Sequence, residues 1–260
     1  MAGCGVHLGL LQFSAMIDFH CHIIPGIDDG SPDMETSLEL ARQSVADGVT
    51  YVVATPHGSS ANIKKQLQAR DEGLASLRQR LEEERIPLKL LPGLEYFADS
   101  HSAETALQYP ECRVGDPGYA DRPILVELPF SLNINLASNL LFAAQLKGIP
   151  LVLAHPERYH GFYQHVSLLA ELMDKGLYLQ FNSFDLRGGL LGWRLKRAIL
   201  KLVEKNPGQI LIGSDAHDAK YRPAGLREAR QSIAGSLGED VWKLISWTTP
   251  SRLLGLATPN

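Results

Sequence analysis

Seven short apolar runs alternate with amphipathic stretches along the chain, and this alternation restricts the fold more than any other feature of the sequence. Each run is continuously apolar, as in the Leu-Val-Leu-Ala of residues 151–154, which is typical of parallel strands buried on both faces. The runs cover residues 16–20, 50–55, 88–95, 124–128, 150–154, 177–181 and 209–214. The sequence therefore predicts a parallel β-sheet.

The stretches between these runs have the spacing of helices. In the first, Met34, Leu38, Ala41 and Val45 recur every three or four residues, with Ser31-Pro32 as the predicted start and Gly48 as the stop. Further helices are predicted at residues 62–85, 136–147, 162–175, 193–205, 225–234 and 240–253. Residues 96–122, rich in Gly, Pro and charge, are predicted to be irregular. Strands alternating with helices indicate an α/β fold, either a barrel or an open sheet.

Composition excludes several classes of protein. The chain has 260 residues, 45% of them hydrophobic, and a net charge of −4, which is typical of a globular protein. We predict no membrane span, since no run of ~18 apolar residues occurs, and no nucleic-acid partner, since the basic residues are scattered. Three cysteines without paired spacing predict a cytoplasmic protein without a disulfide scaffold. Residues 1–15 are predicted to be an N-terminal extension without a signal peptide, and residues 16–260 a single domain.

Histidines and carboxylates follow the apolar runs at the points where the predicted strands end. His20 and His22 share one face of the first strand, because alternate residues of a strand point the same way. The full set is His20, His22, His57, Glu95, Glu127, His155, Asp215 and His217. We expect these side chains to meet, because β/α folds place their functional groups at the carboxyl ends of the strands.

Such a cluster predicts bound cations. Without them, the crowded carboxylates and imidazoles would cost several kcal/mol each in repulsion and desolvation. Mixed nitrogen and oxygen ligands suit Zn, Mn or Fe, and a single catalytic zinc takes only ~3 protein ligands. We therefore expect two or three divalent metal ions, which would activate a bridging water for hydrolysis of a phosphoester or an amide.

The strand-end motifs resemble those of the polymerase-and-histidinol-phosphatase (PHP) superfamily, and most of all its bacterial protein-tyrosine phosphatases of capsular and exopolysaccharide biosynthesis. They are Asp18-Phe19-His20-Cys21-His22, Asp28-Asp29-Gly30, Ala54-Thr55-Pro56-His57, Pro92-Gly93-Leu94-Glu95, His155-Pro156-Glu157-Arg158-Tyr159 and Ser214-Asp215-Ala216-His217. The resemblance covers residues 16 to about 254. It implies a distorted, seven-stranded β/α barrel of TIM-like type with three metal ions, of which Mn is expected to support activity.

The resemblance also implies the distribution of ligands. One metal would be held by His20, His22, Glu95 and Asp215. A second would share Glu95 and take Glu127 and His155. The third would take His57, His217 and one carboxylate of Asp28-Asp29, for which we prefer Asp29.

Two arginines are predicted to bind phosphate. Arg158 follows His155 by three residues, and its planar guanidinium suits two phosphoryl oxygens. Arg222 resembles the second phosphate-binding arginine of the family. A cysteine nucleophile is excluded, because a cysteine-dependent phosphatase needs Arg six residues after its Cys. Those positions hold Leu10, Ile27 and Gly118.

The resemblance implies hydrolysis of phosphotyrosine by a hydroxide that bridges two metals. The implied partner is a membrane-associated bacterial tyrosine kinase of polysaccharide export. Two alternatives remain: a phosphatase of small phosphomonoesters such as histidinol phosphate, and a metal-bound kinase regulator without catalysis. The sequence departs from the family at Gly58, where many relatives have His, and at Asp185-Leu186-Arg187. These differences bear on substrate choice.

Overall fold

Parallel strands joined by helices make up the described part of the chain, which is residues 15–99, 101–187 and 192–256 of a computed structural model. Its strands are β1 (Met16–Cys21), β2 (Val49–Ala54), β3 (His57–Gly58), β4 (Lys89–Pro92), β5 (Glu95–Phe97), β6 (Ile124–Glu127), β7 (Leu151–Ala154), β8 (Tyr178–Asn182) and β9 (Ile210–Gly213). Its α-helices are α1 (Met34–Ala46), α2 (Ile63–Glu83), α3 (Ile134–Leu146), α4 (Phe162–Asp174), α5 (Trp193–Lys205), α6 (Arg227–Leu237), α7 (Glu239–Lys243) and α8 (Thr249–Leu253). None of the helices in these residues is both long and apolar enough to span a membrane.

The strands close into a barrel with seven strand positions. Two parallel sheets, β1-β2-β4 and β3-β5-β6-β7-β8-β9, are continuous with each other because β2 leads into β3 and β4 leads into β5. Cys21 forms a parallel bridge with Ala216 just after β9, and the amide of Asp215 donates to the carbonyl of His20 at 2.7 Å. The last strand thus pairs with the first. The predicted TIM-like β/α barrel is confirmed.

Two strand positions are interrupted, which the apolar runs did not predict. Pro56 separates β2 from β3 and has no amide hydrogen to donate to the ladder. Gly93 separates β4 from β5, within the run predicted as one strand over 88–95. A Cβ on Gly93 would lie 2.7 Å from Val114 Cγ1 and 2.9 Å from Thr55 Cγ2, so the close approach requires glycine. The breaks divide each of these strand positions into two short strands.

The helices correct two boundary predictions. Helix α1 is capped by Asp33, whose side chain accepts a hydrogen bond from the amide of Thr36 at 2.8 Å, rather than by Ser31-Pro32. The single helix predicted over 240–253 is interrupted by a π-helical turn at Leu244–Thr248 between α7 and α8. Pro250 cannot donate to the carbonyl of Ser246, which accounts for a break in the regular ladder there.

A small apolar cluster fills the barrel and closes one of its ends. Its strand residues are Ile17, Phe19, Val53, Leu125, Val152, Ala154 and Leu211. Trp247, Leu253 and Leu254 pack onto this cluster, and the ring of Trp247 lies 6.1 Å from that of Tyr51, near the start of β2. The amino ends of the strands are therefore sealed by apolar side chains. The polar residues that follow the strands lie at the opposite, carboxyl ends.

Most of the predicted N-terminal extension, residues 1–14, lies outside the described residues, as do residues 257–260. The segment predicted to be irregular begins with β5 and contains two short 3₁₀ helices, Thr105–Gln108 and Pro110–Cys112. The guanidinium of Arg122 donates to the carbonyl of Tyr119 at 2.9 Å, a local hydrogen bond that orders the end of this segment.

Candidate metal centre

All nine predicted metal ligands lie together at the carboxyl ends of the barrel strands. The loop before α1 supplies Asp29, and His57 and Glu95 begin the short strands β3 and β5 that continue β2 and β4. The other six lie at strand ends or in the turns that follow them. The nine are His20, His22, Asp29, His57, Glu95, Glu127, His155, Asp215 and His217.

Glu95 lies at the centre of the cluster. Its Oε2 is 3.2 Å from Nε2 of both His20 and His22 and 3.0 Å from Nδ1 of His57, and its Oε1 is 2.7 Å from Nε2 of His155. The side chain is fully buried, and Oε2 accepts no hydrogen bond from the described residues. Burial acts to raise the pKa of Glu95, but the charges of His20 and His155 outweigh it and hold the pKa well below its usual range.

The first group of ligand atoms has spacings that fit a cation. Nε2 of His20 and Nε2 of His22 are 3.1 Å apart, and Oδ1 of Asp215 lies 3.7 Å and 3.4 Å from them. Ligand atoms ~2.1 Å from a common ion stand about 3.0–3.5 Å apart in tetrahedral or octahedral geometry. His20, His22 and Glu95 therefore offer three donor atoms close enough together for one first-row divalent metal, and Oδ1 of Asp215 lies beside the two imidazoles.

Two further groups lie on either side of His57. Nδ1 of His57 faces Glu95 and is 3.9 Å from Oε2 of Glu127, while Nε2 of His155 is 3.8 Å from Oε1 of Glu127. On the other side, Oδ1 of Asp29 is 3.2 Å from Nε2 of His57 and 3.5 Å from Nε2 of His217. The imidazole of His57 thus has Nδ1 toward Glu95 and Glu127 and Nε2 toward Asp29.

The two aspartates of Asp28-Asp29 have different surroundings. Asp28 accepts from Nδ1 of His22 at 2.8 Å, from the amide of His57 at 3.0 Å and from the amide of Gly30 at 3.0 Å. Asp29 faces the cluster directly. Asp28 therefore orients a predicted ligand from behind, in the way that carboxylates support metal-binding histidines.

Three histidines have one ring nitrogen committed to an oxygen, so that the other faces the cluster. Nδ1 of His20 donates to Gln180 at 2.7 Å, that of His22 donates to Asp28, and that of His217 donates to the carbonyl of Asp215 at 3.0 Å. In each ring Nε2 is thereby turned toward the neighbouring carboxylates. A bound metal would take these rings in the neutral tautomer, with the proton on Nδ1 and the lone pair on Nε2.

Gln180 and Asn182 support the cluster without belonging to the predicted set. Nε2 of Gln180 donates to Oδ1 of Asn182 at 2.9 Å, and Nδ2 of Asn182 donates to Oδ2 of Asp215 at 2.8 Å. The two residues alternate on β8 and so share a face, as His20 and His22 do. This i, i+2 spacing was the signal in the sequence that could have identified the pair. Amide side chains, however, are not typical ligands of transition metals, whereas histidines are.

Both predicted phosphate-binding arginines converge on one carboxylate oxygen. Oδ2 of Asp215 accepts from Nη1 of Arg158 at 2.7 Å and from Nη2 of Arg222 at 2.5 Å. The two guanidiniums line a cavity of about 330 Å³ together with the metal-centre residues. The arrangement places two positively charged guanidinium groups beside the cluster, where one phosphoryl group could contact both.

Two of the predicted ligands have a strained backbone conformation. His155 has φ +29° and Asp215 has φ +52°, values that non-glycine residues adopt at a cost of order 1–3 kcal/mol. The turn at Asp215 is fixed by Asp18, whose Oδ1 accepts from the amides of Ser214 at 2.8 Å and His20 at 3.2 Å. Burial raises the pKa of Asp18 to about 6.

Known proteins of similar sequence and structure agree with the motifs. The chain is 36% identical over 226 residues to the tyrosine-protein phosphatase YwqE of Bacillus subtilis (strain 168), across 87% of each protein. It is 25% identical over 243 residues to the tyrosine-protein phosphatase CpsB of Streptococcus pneumoniae, across 92% of this chain and 98% of that protein.

A solved structure has the same fold along nearly the whole chain. It comes from crystal structures of YwqE from Bacillus subtilis and CpsB from Streptococcus pneumoniae, described as unique metal-dependent tyrosine phosphatases. It matches with a TM-score of 0.78 and 33% identity, covering 94% of this chain and 96% of the other. The family model for capsular polysaccharide synthesis, CpsB/CapC, matches residues 16–255. The predicted family is therefore confirmed, and the chain belongs to the CpsB/CapC family of capsular polysaccharide synthesis.

Proposed function

We propose that the chain is a metal-dependent protein-tyrosine phosphatase that acts in capsular and exopolysaccharide biosynthesis. The observation that carries this proposal is the meeting of nine nitrogen- and oxygen-donor side chains with two arginines at the mouth of the barrel. The similarity to phosphatases of the CpsB/CapC family supports the same activity. The activity would reside in a single domain over residues 16–260, with residues 1–15 as an extension.

Three divalent metal ions fit the donor atoms. The first would be held by His20, His22, Glu95 and Asp215. The second would share Glu95 and take Glu127 and His155. The third would take Asp29, His57 and His217. The buried Oε2 of Glu95, which accepts no hydrogen bond from the described residues, supports a shared carboxylate. The mixed donor set suits Mn, Fe or Zn, and we expect Mn to support activity.

When bound, such ions lower the pKa of water and neutralise the charge of the phosphoryl oxygens. The chain's own residues then have two tasks. Arg158 and Arg222 would bind the phosphoryl oxygens with their planar forks, while Glu95 and the histidines keep their donor atoms converged. Water attacks phosphorus, the bond from phosphorus to the phenolic oxygen breaks, and the tyrosine leaves. With a pKa of about 10, a phenolate leaves without strong help from a general acid.

The physiological substrate that we propose is a phosphotyrosine protein, in particular a membrane-associated bacterial tyrosine kinase of polysaccharide export. We also place the enzyme in the cytoplasm. Cys21 and Cys112 are free and buried, which is in keeping with a reducing compartment.

Hydrolysis of a phosphotyrosine peptide with added Mn²⁺ tests the proposal. We expect the double variant Arg158→Ala with Arg222→Ala to lose at least ~100-fold in kcat/KM, because it removes the donors to the phosphoryl oxygens. Elemental analysis should give about three metals per chain for the wild type and fewer for His20→Ala with His22→Ala.

Matched control variants separate these effects from loss of charge elsewhere. Arg194→Ala with Arg197→Ala removes two exposed arginines of α5 and should leave activity and metal content unchanged. Full activity after exhaustive metal removal would contradict the proposal. One metal per chain in saturated, active protein would contradict the assignment of three sites.

A further inference from the structure

Apolar side chains line the cavity of the metal centre beside the charged ones. They are Phe97, Leu128, Phe130 and Tyr159. Phe130 is 89% exposed and Phe97 is 37% exposed. Burying a phenylalanine ring is favourable, so a ring left in water beside a candidate active site is available for a ligand. We call Phe97 and Phe130 the aromatic rim.

The backbone holds Phe130 in a defined position although its ring is exposed. Its carbonyl accepts from the amide of His160 at 2.9 Å, and the carbonyl of His160 accepts from the amide of Leu132 at 3.0 Å. Ser131 and His160 form a parallel bridge between the same two segments. The ring therefore projects from an anchored segment.

Both rim residues are tied to strands that carry predicted ligands. Phe97 lies two residues after Glu95 on β5 and pairs with Glu127 on β6. Phe130 lies three residues after Glu127. The barrel strands therefore place Phe97 beside Glu95 and Glu127, and the short connection from β6 keeps Phe130 near Glu127.

We propose that Phe97 and Phe130 hold the aromatic ring of the substrate and thereby determine a preference for aryl over alkyl phosphomonoesters. This inference rests on the proposed function. When Arg158 and Arg222 bind the phosphoryl group, the alcohol or phenol part of the ester must lie against the other residues of the same cavity. A phenol ring can stack on, or meet edge to face, the phenylalanine rings there, whereas an alkyl chain offers no such contact.

The experiment compares two peptides of the same sequence, one with phosphotyrosine and one with phosphoserine, on the Mn²⁺-loaded enzyme. We expect Phe130→Ala to raise KM for the phosphotyrosine peptide about tenfold and to change kcat less than about twofold. The ratio of kcat/KM for phosphotyrosine over phosphoserine should fall about tenfold. Adding Phe97→Ala should lower the ratio further, and Phe130→Tyr, which keeps the ring, should retain it.

Phe142→Ala is the matched control, because Phe142 is 62% exposed on α3 and is not among the residues that line the cavity. It should leave the ratio unchanged. An unchanged ratio in Phe130→Ala, or an equal loss with both peptides, would overturn the aromatic rim while the proposed function stands. A wild-type enzyme that hydrolyses neither peptide would overturn the proposed function, and the rim with it.

Discussion

Asp215 shows at the scale of one residue how the metal centre and the phosphate-binding groups are joined. One carboxylate oxygen faces the Nε2 atoms of His20 and His22, and the other accepts from Arg158, Arg222 and Asn182. Burial acts to raise the pKa of Asp215, but the charges of the histidines hold it well below its usual range. The group therefore stays ionised. Its motif predicted a ligand, but a local pattern does not show that the arginines share it.

Gly213 permits the close approach of β9 to β1 beneath this carboxylate. A Cβ at residue 213 would lie 2.5 Å from Cβ of His20 and 2.9 Å from Nε2 of Gln180. We expect Gly213→Ala to lower the free energy of unfolding by about 1–3 kcal/mol through overpacking. It should also lower the metal content, because His20 is displaced. Urea unfolding and elemental analysis measure the two effects.

Gly235→Ala provides the control for this substitution. Gly235 is exposed on α6, and a Cβ there would meet no atom within 4 Å. The change should stabilise the helix by up to about 1 kcal/mol. A Gly213→Ala variant as stable and as fully metal-loaded as the wild type would contradict the packing argument.

Among the elements, α1 shows how a boundary depends on contacts that the sequence leaves open. Ser31, Pro32 and Asp33 are all residues that begin helices. The hydroxyl of Ser31 is instead 2.8 Å from that of Ser37 and donates to the carbonyl of Asp33 at 2.9 Å. Asp33 is left to cap the helix. The loop before this helix also carries Asp28 and Asp29, so the start of α1 bears on the site.

The cap of α1 predicts a dependence of stability on pH. Hydrogen bonds from Thr36 lower the pKa of Asp33 below its ordinary value of 3.8. Because the folded-state pKa is the lower one, the stabilisation is fully present above the unfolded value and is lost as pH falls through the folded value. Asp33→Ala should therefore lower Tm at pH 7, and the difference from the wild type should shrink as pH falls below the ordinary value of 3.8.

Asp33→Asn should behave like the wild type at pH 7, since an amide oxygen also caps a helix. Asp121→Ala removes an exposed aspartate from a turn and should have no effect on Tm. If Asp33→Ala gave the same loss of Tm at pH 7 and pH 3, the cap would not be the cause.

On the scale of the whole molecule, closure of the barrel brings the first strand, β1, and the last strand, β9, together at the site. His20 and Asp215 are far apart in sequence but belong to the strand positions that close the barrel. Cations bound by both would therefore favour the folded state as a whole. A ligand that binds only the folded protein stabilises it by about 2.7 kcal/mol at a concentration of 100 times its Kd.

We therefore expect chelation of the metals to lower Tm and added Mn²⁺ to restore it, with a shift that grows with Mn²⁺ concentration. Differential scanning calorimetry after chelation and dialysis measures this. The variant His20→Ala with His22→Ala should show a smaller shift at the same Mn²⁺ concentration. A Tm that is unchanged by verified metal removal would contradict the coupling of the site to the fold.

From the sequence alone one could predict an α/β fold with parallel strands, a resemblance to the family and eight strand-end candidate ligands, with Asp29 only preferred over Asp28 as the ninth. Continuous apolar runs and helical periodicity are local patterns. A His or a carboxylate directly after such a run is carried to the mouth wherever parallel strands assemble. For this reason local patterns alone were enough to identify the strand-end residues His20, Glu95 and His155 as candidate ligands.

How these side chains are arranged depends on contacts between residues that are distant in the sequence. The tertiary structure placed Asp29 in the cluster and Asp28 behind His22, set His57 between two groups, and brought Gln180 and Asn182 under the site. It also split two strands and left Phe130 exposed at the cavity. These outcomes depend on which atoms of distant residues meet when the barrel closes. Neither spacing nor composition contains that information, because each side chain's orientation is set by partners on other strands.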